Sequence, residues 1–208
     1  AKEYKLPVQS HLSENPGEIA WVKELCPDAK HYGDTYDRYG LLENSIMAHC
    51  VYTEGEELSA LKARGTMICH CPQSNTNLCS GAAPIRRFLE ENVKVGLGTD
   101  VAGGANLSML RAITDAISVS KLRFRLMDQS LVPLTLEEAF CLATLSGGSF
   151  FGKVGSFLPG YEADALVFHE KRRSVRKQTV KERLEVLLYT GEESARLQAK
   201  FVQGRQLF

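Results

Sequence analysis

Residues 45–71 read SIMAHCVYTEGEELSALKARGTMICHC, and this stretch decides the fold. An apolar run at each end is too short for a helix and is typical of a buried strand. Between the runs, Thr53 and Glu56 have the spacing of a helix capping box, and Gly65 follows the last residues of the predicted helix. A strand, a helix and a strand in this order predict a parallel βαβ unit.

The same alternation continues on both sides of this unit. The predicted strands cover residues 7–12, 45–51, 66–71 and 93–99. Asn15 and Asn106 can cap two further helices, and Thr135 and Glu138 form another capping box. On the first of these helices, apolar residues at 19, 22 and 26 are spaced for one buried face, whereas the Ser/Asn-rich segment up to Gly81 is predicted to be a loop. Four strand–helix units predict an α/β fold with a parallel sheet.

The pattern changes after residue 154. A Pro-Gly turn, a short strand at 163–168 and a closing strand-like segment at 200–207 indicate part of a small separate β-structure. The charged stretch at 171–177 is predicted to be a solvated loop. We therefore divide the chain into residues 1–154, a partial (β/α) unit, and residues 155–208, a segment of a β-domain.

Charge and composition exclude several classes of function. Twenty-five basic and 25 acidic residues give a formal net charge of zero, which is not the footprint of a nucleic-acid binder. No apolar run approaches the ~20 residues that span a bilayer, and the first residues show no secretory signal. Six cysteines without a CxxC pair predict reduced, mostly buried thiols in a cytoplasmic protein.

Three polar residues end three different predicted strands: His11, His49 and Asp100. Ligands and catalytic groups gather at this edge of a parallel sheet, and Glu14 lies close enough to His11 to face the same edge. Two histidines and an aspartate suit a first-row metal ion, and a nearby glutamate suits proton transfer. A hydrogen-bonded structural histidine and a helix-capping aspartate explain the same residues, so the spacing alone leaves both interpretations open.

The segment Cys69-His70-Cys71 has the residue types of a metal cluster but not its geometry. Alternate residues of a strand face opposite sides, so the two thiols share one face and His70 points away from them. We interpret the cysteines as packing residues and His70 as either a lining residue or a structural one.

Four motifs carry a resemblance to a known family: QSHLSEN at 9–15, MAHC at 47–50, HCPQSN at 70–75 and GLGTDVAGG at 96–104. Together they resemble the guanine deaminases of the amidohydrolase superfamily. The segment GSFLPGYEADALVF at 155–168 resembles the return of the chain to the β-domain of that superfamily. The resemblance covers nearly the whole chain, and QSHLSEN with GLGTDVAGG is its most specific part.

The resemblance implies a distorted (β/α)8 barrel that holds one zinc ion and converts guanine to xanthine and ammonia. By motif, His11 and Asp100 are similar to zinc ligands, and Asp100 also to the group that deprotonates water. Glu14 is similar to the proton-shuttling glutamate, and His49 to the histidine beside the metal that contacts either the nucleophile or the tetrahedral intermediate. The resemblance makes His11, Glu14, His49 and Asp100 the candidate guanine-binding residues.

The chain departs from this family in two respects. It contains no His-x-His pair, which the family uses for two more zinc ligands, and it supplies four strand–helix units where a barrel of ~250 residues has eight. We therefore expect the C-terminal half of a barrel, which folds only when an N-terminal half or a second copy in a homodimer completes it. Two alternatives remain open: a non-catalytic truncated form, and a related deaminase acting on another aminated heterocycle.

Overall fold

A parallel sheet dominates the computed structural model, which describes residues 1–171 and 175–208, without the side chains of Lys2 and Glu192. The sheet has the strand order β1-β2-β3-β4, and each strand pairs in parallel with its neighbour in sequence. Its strands are β1 (Val8–Leu12), β2 (Ser45–His49), β3 (Met67–His70) and β4 (Lys94–Leu97). The α/β fold class predicted from the strand–helix alternation is confirmed, since each predicted run contains one of these strands.

Helices connect these strands and continue beyond the fourth. They are α1 (Pro16–Leu25), α2 (Asp34–Asp37), α3 (Gly55–Arg64), α4 (Pro72–Asn77), α5 (Ile85–Glu90), α6 (Met109–Leu126), α7 (Leu136–Cys141) and α8 (Val180–Thr190). A π-helical turn at Leu142–Ser146 extends α7, and short 3₁₀ turns occupy Lys2–Tyr4, Ser149–Phe151 and Gly191–Glu193. The prediction of a loop between residue 71 and Gly81 was wrong, because α4 begins there at Pro72. Proline is tolerated at the first position of a helix, where the backbone N–H makes no intrahelical hydrogen bond.

Helix caps account for several of the predicted boundaries and correct two of them. The Asn15 side chain accepts a hydrogen bond from the backbone of Glu18, and the reciprocal box of Thr135 and Glu138 starts α7, both as predicted. The predicted box at Thr53 is absent, because Glu54 is the N-cap of α3 and the Thr53 hydroxyl bonds elsewhere.

The cap of α6 is also displaced from its predicted position. Ser108, rather than Asn106, accepts a hydrogen bond from the backbone N–H of Arg111. The Asn106 side chain instead accepts from the N–H of Ser108, which folds the segment before the helix into a local turn.

The main core lies between the sheet and the helices that cover it. Its largest fully buried side chains include Phe88, Leu58, Leu61 and Ile68, whose apolar area is removed from water by α3, α5 and the strands. In contrast, the predicted apolar face of α1 at residues 19, 22 and 26 is only half-buried, and Trp21, outside that face, stays 64 % exposed.

A second, antiparallel sheet follows the helical part. Its strands β5 (Ala165–Glu170), β6 (Ala195–Val202) and β7 (Arg205–Gln206) pair in that order. Helix α8, between β5 and β6, packs against α6 because Leu188 joins Ile113 and Ile117 in a second apolar cluster. The division of the chain at residues 154 and 155 stays a prediction, and Arg172–Ser174 of the predicted charged loop lie outside the described residues.

All six cysteines carry free thiols. Cys50 and Cys71 are buried, Cys79 is exposed, and the other three are intermediate, so the prediction of mostly buried thiols was wrong. Among the described residues, none of the helices combines the length and the apolar character that a membrane crossing requires.

Replacing Glu138 with glutamine is expected to destabilise the chain at neutral pH and to have progressively less effect in acid. Both Glu138 carboxylate oxygens accept hydrogen bonds of 2.7 Å from Arg86, which lowers the pKa of Glu138 to about 2. A depressed pKa means that the stabilisation is complete above the unfolded-state value near 4.5 and is lost towards pH 2. Urea unfolding of both proteins between pH 7 and pH 2 measures this difference.

The exposed neighbour Glu90 provides the control for this prediction, because a Glu90→Gln variant makes the same chemical change at a solvated site. The prediction compares the free energy of unfolding of Glu138→Gln with that of the unchanged chain. An equal difference at pH 7 and at pH 2.5 would contradict a stabilising role of the ionised Glu138 carboxylate.

Candidate active site

His11 reaches the site from the fourth residue of β1, and Glu14 reaches it from the turn that follows this strand. Ser13 lies between them with φ of +45°, a left-handed conformation that turns the chain sharply at the end of the strand. Its carbonyl accepts a hydrogen bond from the N–H of Tyr52, which ties this turn to the loop after β2. The Glu14 Oε1 atom accepts a 2.6 Å hydrogen bond from Ser80, so one carboxylate oxygen is fixed.

His49 is the last residue of β2 and is almost completely buried. Its Nδ1 atom lies 2.8 Å from Oδ1 of Asn75, which is fully buried in α4. Its Nε2 atom is 3.7 Å from Oε2 of Glu14 and 3.9 Å from Oδ2 of Asp100. One ring nitrogen is therefore held by the protein, and the other faces two carboxylates.

Asp100 follows β4 and begins a glycine turn. The backbone N–H of Gly104 donates a 2.6 Å hydrogen bond to the Asp100 carbonyl, which closes the turn. A Cβ on Gly103 would lie 2.8 Å from the Asp100 carboxylate, and one on Gly104 would lie 2.0 Å from the Thr99 carbonyl. A side chain at position 104 would collide with the backbone of Thr99, whereas one at position 103 would displace the side chains of Ser74 and Asp100.

The structure brings the four candidate residues together. One donor atom from each of His11, His49 and Asp100 lies within 4.8 Å of the others, and the His11 and His49 rings stack with centroids 5.2 Å apart. Glu14 borders this group through its contact with His49. Two imidazoles and a carboxylate at this spacing form a donor set that could hold a metal ion.

Strand pairing alone does not bring the two histidines together. The register places His11 opposite Ala48, whereas His49 is paired with Leu12, so regular alternation directs the histidines to opposite faces. His49 has φ of +70° and Cys50 has φ of +50°, which takes the end of β2 out of regular strand geometry. The irregular backbone accounts for the stacking of the two rings.

The neighbouring CHC segment has the geometry expected from strand alternation. The thiols of Cys69 and Cys71 lie 4.0 Å apart and both face Gly98, where an added Cβ would be 2.6 Å from the Cys69 sulfur. The hydrogen bond from Cys71 lowers the pKa of Cys69, and the same contact raises that of Cys71. His70 is buried, its Nδ1 atom has no hydrogen-bond partner among the described residues, and burial lowers its pKa to about 3.

Sequence reasoning missed two residues that support the site. Asn75 and Ser80 contact His49 and Glu14 directly, although neither has an ionisable side chain. Asn75 is the last residue of the motif HCPQSN, so this motif could have pointed to it. Ser80 lies 66 residues from Glu14 in sequence, and no local pattern identifies it.

A Gly104→Ala variant is expected to lose about 1–3 kcal/mol of folding free energy, the usual cost of forcing atoms into a packed region. The added methyl group overlaps the Thr99 carbonyl at 2.0 Å, so the turn that carries Asp100 must open. Urea unfolding measures the stability. Competition with a chelator measures the affinity for a divalent metal ion, which should fall together with the stability.

Gly17→Ala is the matched control, since its methyl group would meet its closest neighbour, Asn15 Oδ1, at 3.3 Å and the residue lies inside α1. Equal stability and equal metal-ion affinity in both variants would show that the turn after β4 does not depend on glycine.

Comparison with known proteins identifies the family of the chain. The model of the amidohydrolase family matches residues 1–195, which is nearly the whole chain. The chain belongs to the amidohydrolase family. The resemblance to guanine deaminases is confirmed by a guanine deaminase of Dictyostelium discoideum that is 37 % identical over 209 residues, or 96 % of this chain and 46 % of the relative.

Solved structures agree with this assignment. The guanine deaminase from C. acetobutylicum with bound guanine in the active site matches all of this chain with a TM-score of 0.94 and 41 % identity. The E. coli guanine deaminase matches it with a TM-score of 0.86 and 35 % identity. The chain covers 50 % of the first and 49 % of the second, so it spans about half the length of the amidohydrolases it matches.

Proposed function

We propose that this chain forms part of a metal-dependent deaminase that hydrolyses guanine to xanthine and ammonia. The observation that carries the proposal is the convergence of His11, His49 and Asp100 within 4.8 Å, beside Glu14. The same residues lie in the motifs QSHLSEN, MAHC and GLGTDVAGG. The guanine-bound C. acetobutylicum relative, at 41 % identity, supports guanine as the substrate.

Zinc is the metal that we assign to this site, with His11 and Asp100 as its ligands in this chain. The donor set fits, because zinc takes imidazole nitrogens and carboxylate oxygens in hydrolytic sites. When bound, zinc supplies a Lewis acid that brings the pKa of water down to about 7.

Glu14 transfers protons in the proposed reaction. Its Oε1 atom is held by Ser80, whereas its Oε2 atom faces His49 and the centre of the site. We assign to Oε2 the delivery of a proton to a ring nitrogen of guanine, and then the transfer of the proton of the new hydroxyl group to the amino group, so that the C–N bond breaks and ammonia leaves. Asp100 accepts the first proton that water loses when its oxygen adds to the carbon bearing the amino group, and this proton restores Glu14 for the next cycle.

In this scheme, His49 stabilises the negative charge that develops on the oxygen added to the reacting carbon. The Nδ1 atom is held by Asn75, which fixes the plane of the ring, and the Nε2 atom lies between Glu14 and Asp100. Because Nδ1 donates to the Asn75 oxygen, a hydrogen bond from Nε2 to the new oxygen requires a ring that carries a proton on both nitrogens. That bond would strengthen as negative charge develops on the oxygen, which is the requirement for lowering the barrier.

We also propose that further ligands come from outside these 208 residues, since the sequence has no His-x-His pair. The partner would be an N-terminal half of the barrel or a second copy of this chain in a homodimer. The free thiols on all six cysteines suit a reducing compartment, so we propose a cytoplasmic protein.

Conversion of guanine to xanthine, followed by liquid chromatography, tests the proposed function. The chain is assayed alone and after mixing with the half of the E. coli enzyme that it does not match, with zinc present. We expect xanthine from the mixture and not from either half alone. Turnover of adenine or cytosine without turnover of guanine would contradict guanine as the substrate. Formation of xanthine by the chain alone would contradict the proposal that further metal ligands come from outside it.

A further inference from the structure

Glu57, in the first turn of α3, is a buried carboxylate that the proposed reaction does not use. It is 5 % exposed. Its Oε2 atom accepts hydrogen bonds of 2.8 Å from the hydroxyls of both Ser13 and Thr53, and its Oε1 atom accepts one of 2.7 Å from the N–H of Gly33. These donors come from three loops, one after β1, one after β2 and one before α2.

The donors around Glu57 explain why a carboxylate occupies this position. All three are neutral. The Nδ1 atom of His31 lies 3.7 Å from Oε1, but it accepts a hydrogen bond from the N–H of Asp34 and so does not donate to the carboxylate. Burying a charge among neutral groups is costly unless hydrogen bonds compensate it. Glutamine could not satisfy the three donors, because its amide offers one oxygen and places an N–H₂ group against the remaining donors.

The contact to Ser13 connects Glu57 to the proposed proton-transfer residue. Ser13 is buried with φ of +45°, a conformation that residues other than glycine rarely adopt without support. Its side chain is held by Glu57 and its carbonyl by the N–H of Tyr52. The next residue is Glu14, whose own N–H donates to the Glu18 carboxylate. Glu57 therefore holds one side of the turn that points Glu14 into the site.

We propose that Glu57 is a positioning residue that holds Ser13 in its left-handed conformation and so sets the position of Glu14. This inference rests on the proposed function for its effect on catalysis. Its structural part, the support of the turn after β1, is independent of the substrate and can be tested separately.

Two hydroxyl deletions separate a positioning role from general stabilisation. Ser13→Ala and Thr53→Val each remove one donor from the same Oε2 atom, but Ser13 adjoins Glu14. In the zinc-loaded protein completed with the E. coli half, Ser13→Ala and Glu57→Gln are expected to lower kcat by about 10–100-fold, as outer-shell changes do. KM should stay nearly unchanged, and Thr53→Val should keep most of the activity.

The exposed neighbour Glu56 supplies the control for the glutamate, as Glu56→Gln makes the same change on the same turn of α3. It is expected to leave kcat and KM unchanged. Equal losses of kcat in Ser13→Ala and Thr53→Val, or a Glu57→Gln variant as active as Glu56→Gln, would overturn the positioning role.

Hydrogen–deuterium exchange of the protein completed with the E. coli half tests the structural part without guanine. We expect Glu57→Gln and Ser13→Ala to speed exchange at residues 13–15 while β3 and β4 exchange as before. Unchanged exchange at 13–15 would refute the proposal. If the unchanged protein does not deaminate guanine, the proposed function fails, and the exchange rates still decide whether Glu57 supports the turn.

Discussion

Replacing Glu14 with glutamine is expected to lower kcat for guanine deamination by about a thousandfold, within the usual range for loss of a general acid–base group. Glutamine keeps an oxygen that can accept the hydrogen bond from Ser80, so the side chain should stay in place. It cannot release a proton to the ring nitrogen or collect one from the site. The fall should therefore appear in kcat, with KM changed little.

Steady-state kinetics of the assembled, zinc-loaded protein measure this effect. Glu24→Gln is the matched control, because Glu24 is exposed on α1 and makes the same change away from the site. Equal zinc content in both variants separates proton transfer from metal loss. A kcat of Glu14→Gln within tenfold of the kcat of the control would mean that another group moves the proton.

Replacing Asp100 with asparagine is expected to remove both metal binding and turnover. Asp100 supplies the carboxylate of the donor set, and its Oδ2 atom lies 3.9 Å from His49 Nε2. Asparagine has no negative charge to offset that of a divalent cation and no site to accept a proton from water. Zinc affinity should fall by more than about 100-fold, the upper end of what changes outside the ligand shell cost.

Competition with a chelator measures the zinc affinity, and the guanine assay measures the turnover. Asp115→Asn is the control, because Asp115 forms a surface ion pair with Arg111 one turn earlier on α6, and such pairs contribute little to stability. An Asp100→Asn protein that holds zinc as tightly as Asp115→Asn would remove Asp100 from the metal site.

The four strands of the parallel sheet and the residues at their ends could be predicted from the sequence. Each strand is a short apolar run bounded by polar or glycine residues, and the positions of His11, His49 and Asp100 follow from where those runs end. Parallel strands bring these ends to one edge of the sheet, so local patterns were sufficient to collect the candidate residues.

The detailed geometry could not be predicted, because it depends on contacts between distant segments. Regular alternation separates His49 from His11, and only the left-handed backbone at His49 lets the rings stack. Ser80 meets Glu14 across 66 residues of sequence, and Glu57 meets Ser13 across 44. No spacing rule reports such pairs, which arise from how the loops after neighbouring strands pack together.

Burial was also harder to predict than secondary structure. The apolar spacing on α1 correctly indicated a helix, but the predicted face at residues 19, 22 and 26 is only half-buried. Trp21 and Leu25, which lie outside that face, are each 64 % exposed. Hydrophobic periodicity describes a helix surface, whereas burial depends on what packs against that surface.

The central claim is that the carboxyl ends of the parallel strands carry a zinc-dependent guanine deaminase site. Zinc content and xanthine formation are measured on one sample of the chain assembled with the E. coli half, before chelation, after chelation and after zinc is restored. The account predicts that both fall together and return together. Xanthine formation that continues at full rate in the metal-free sample would contradict it.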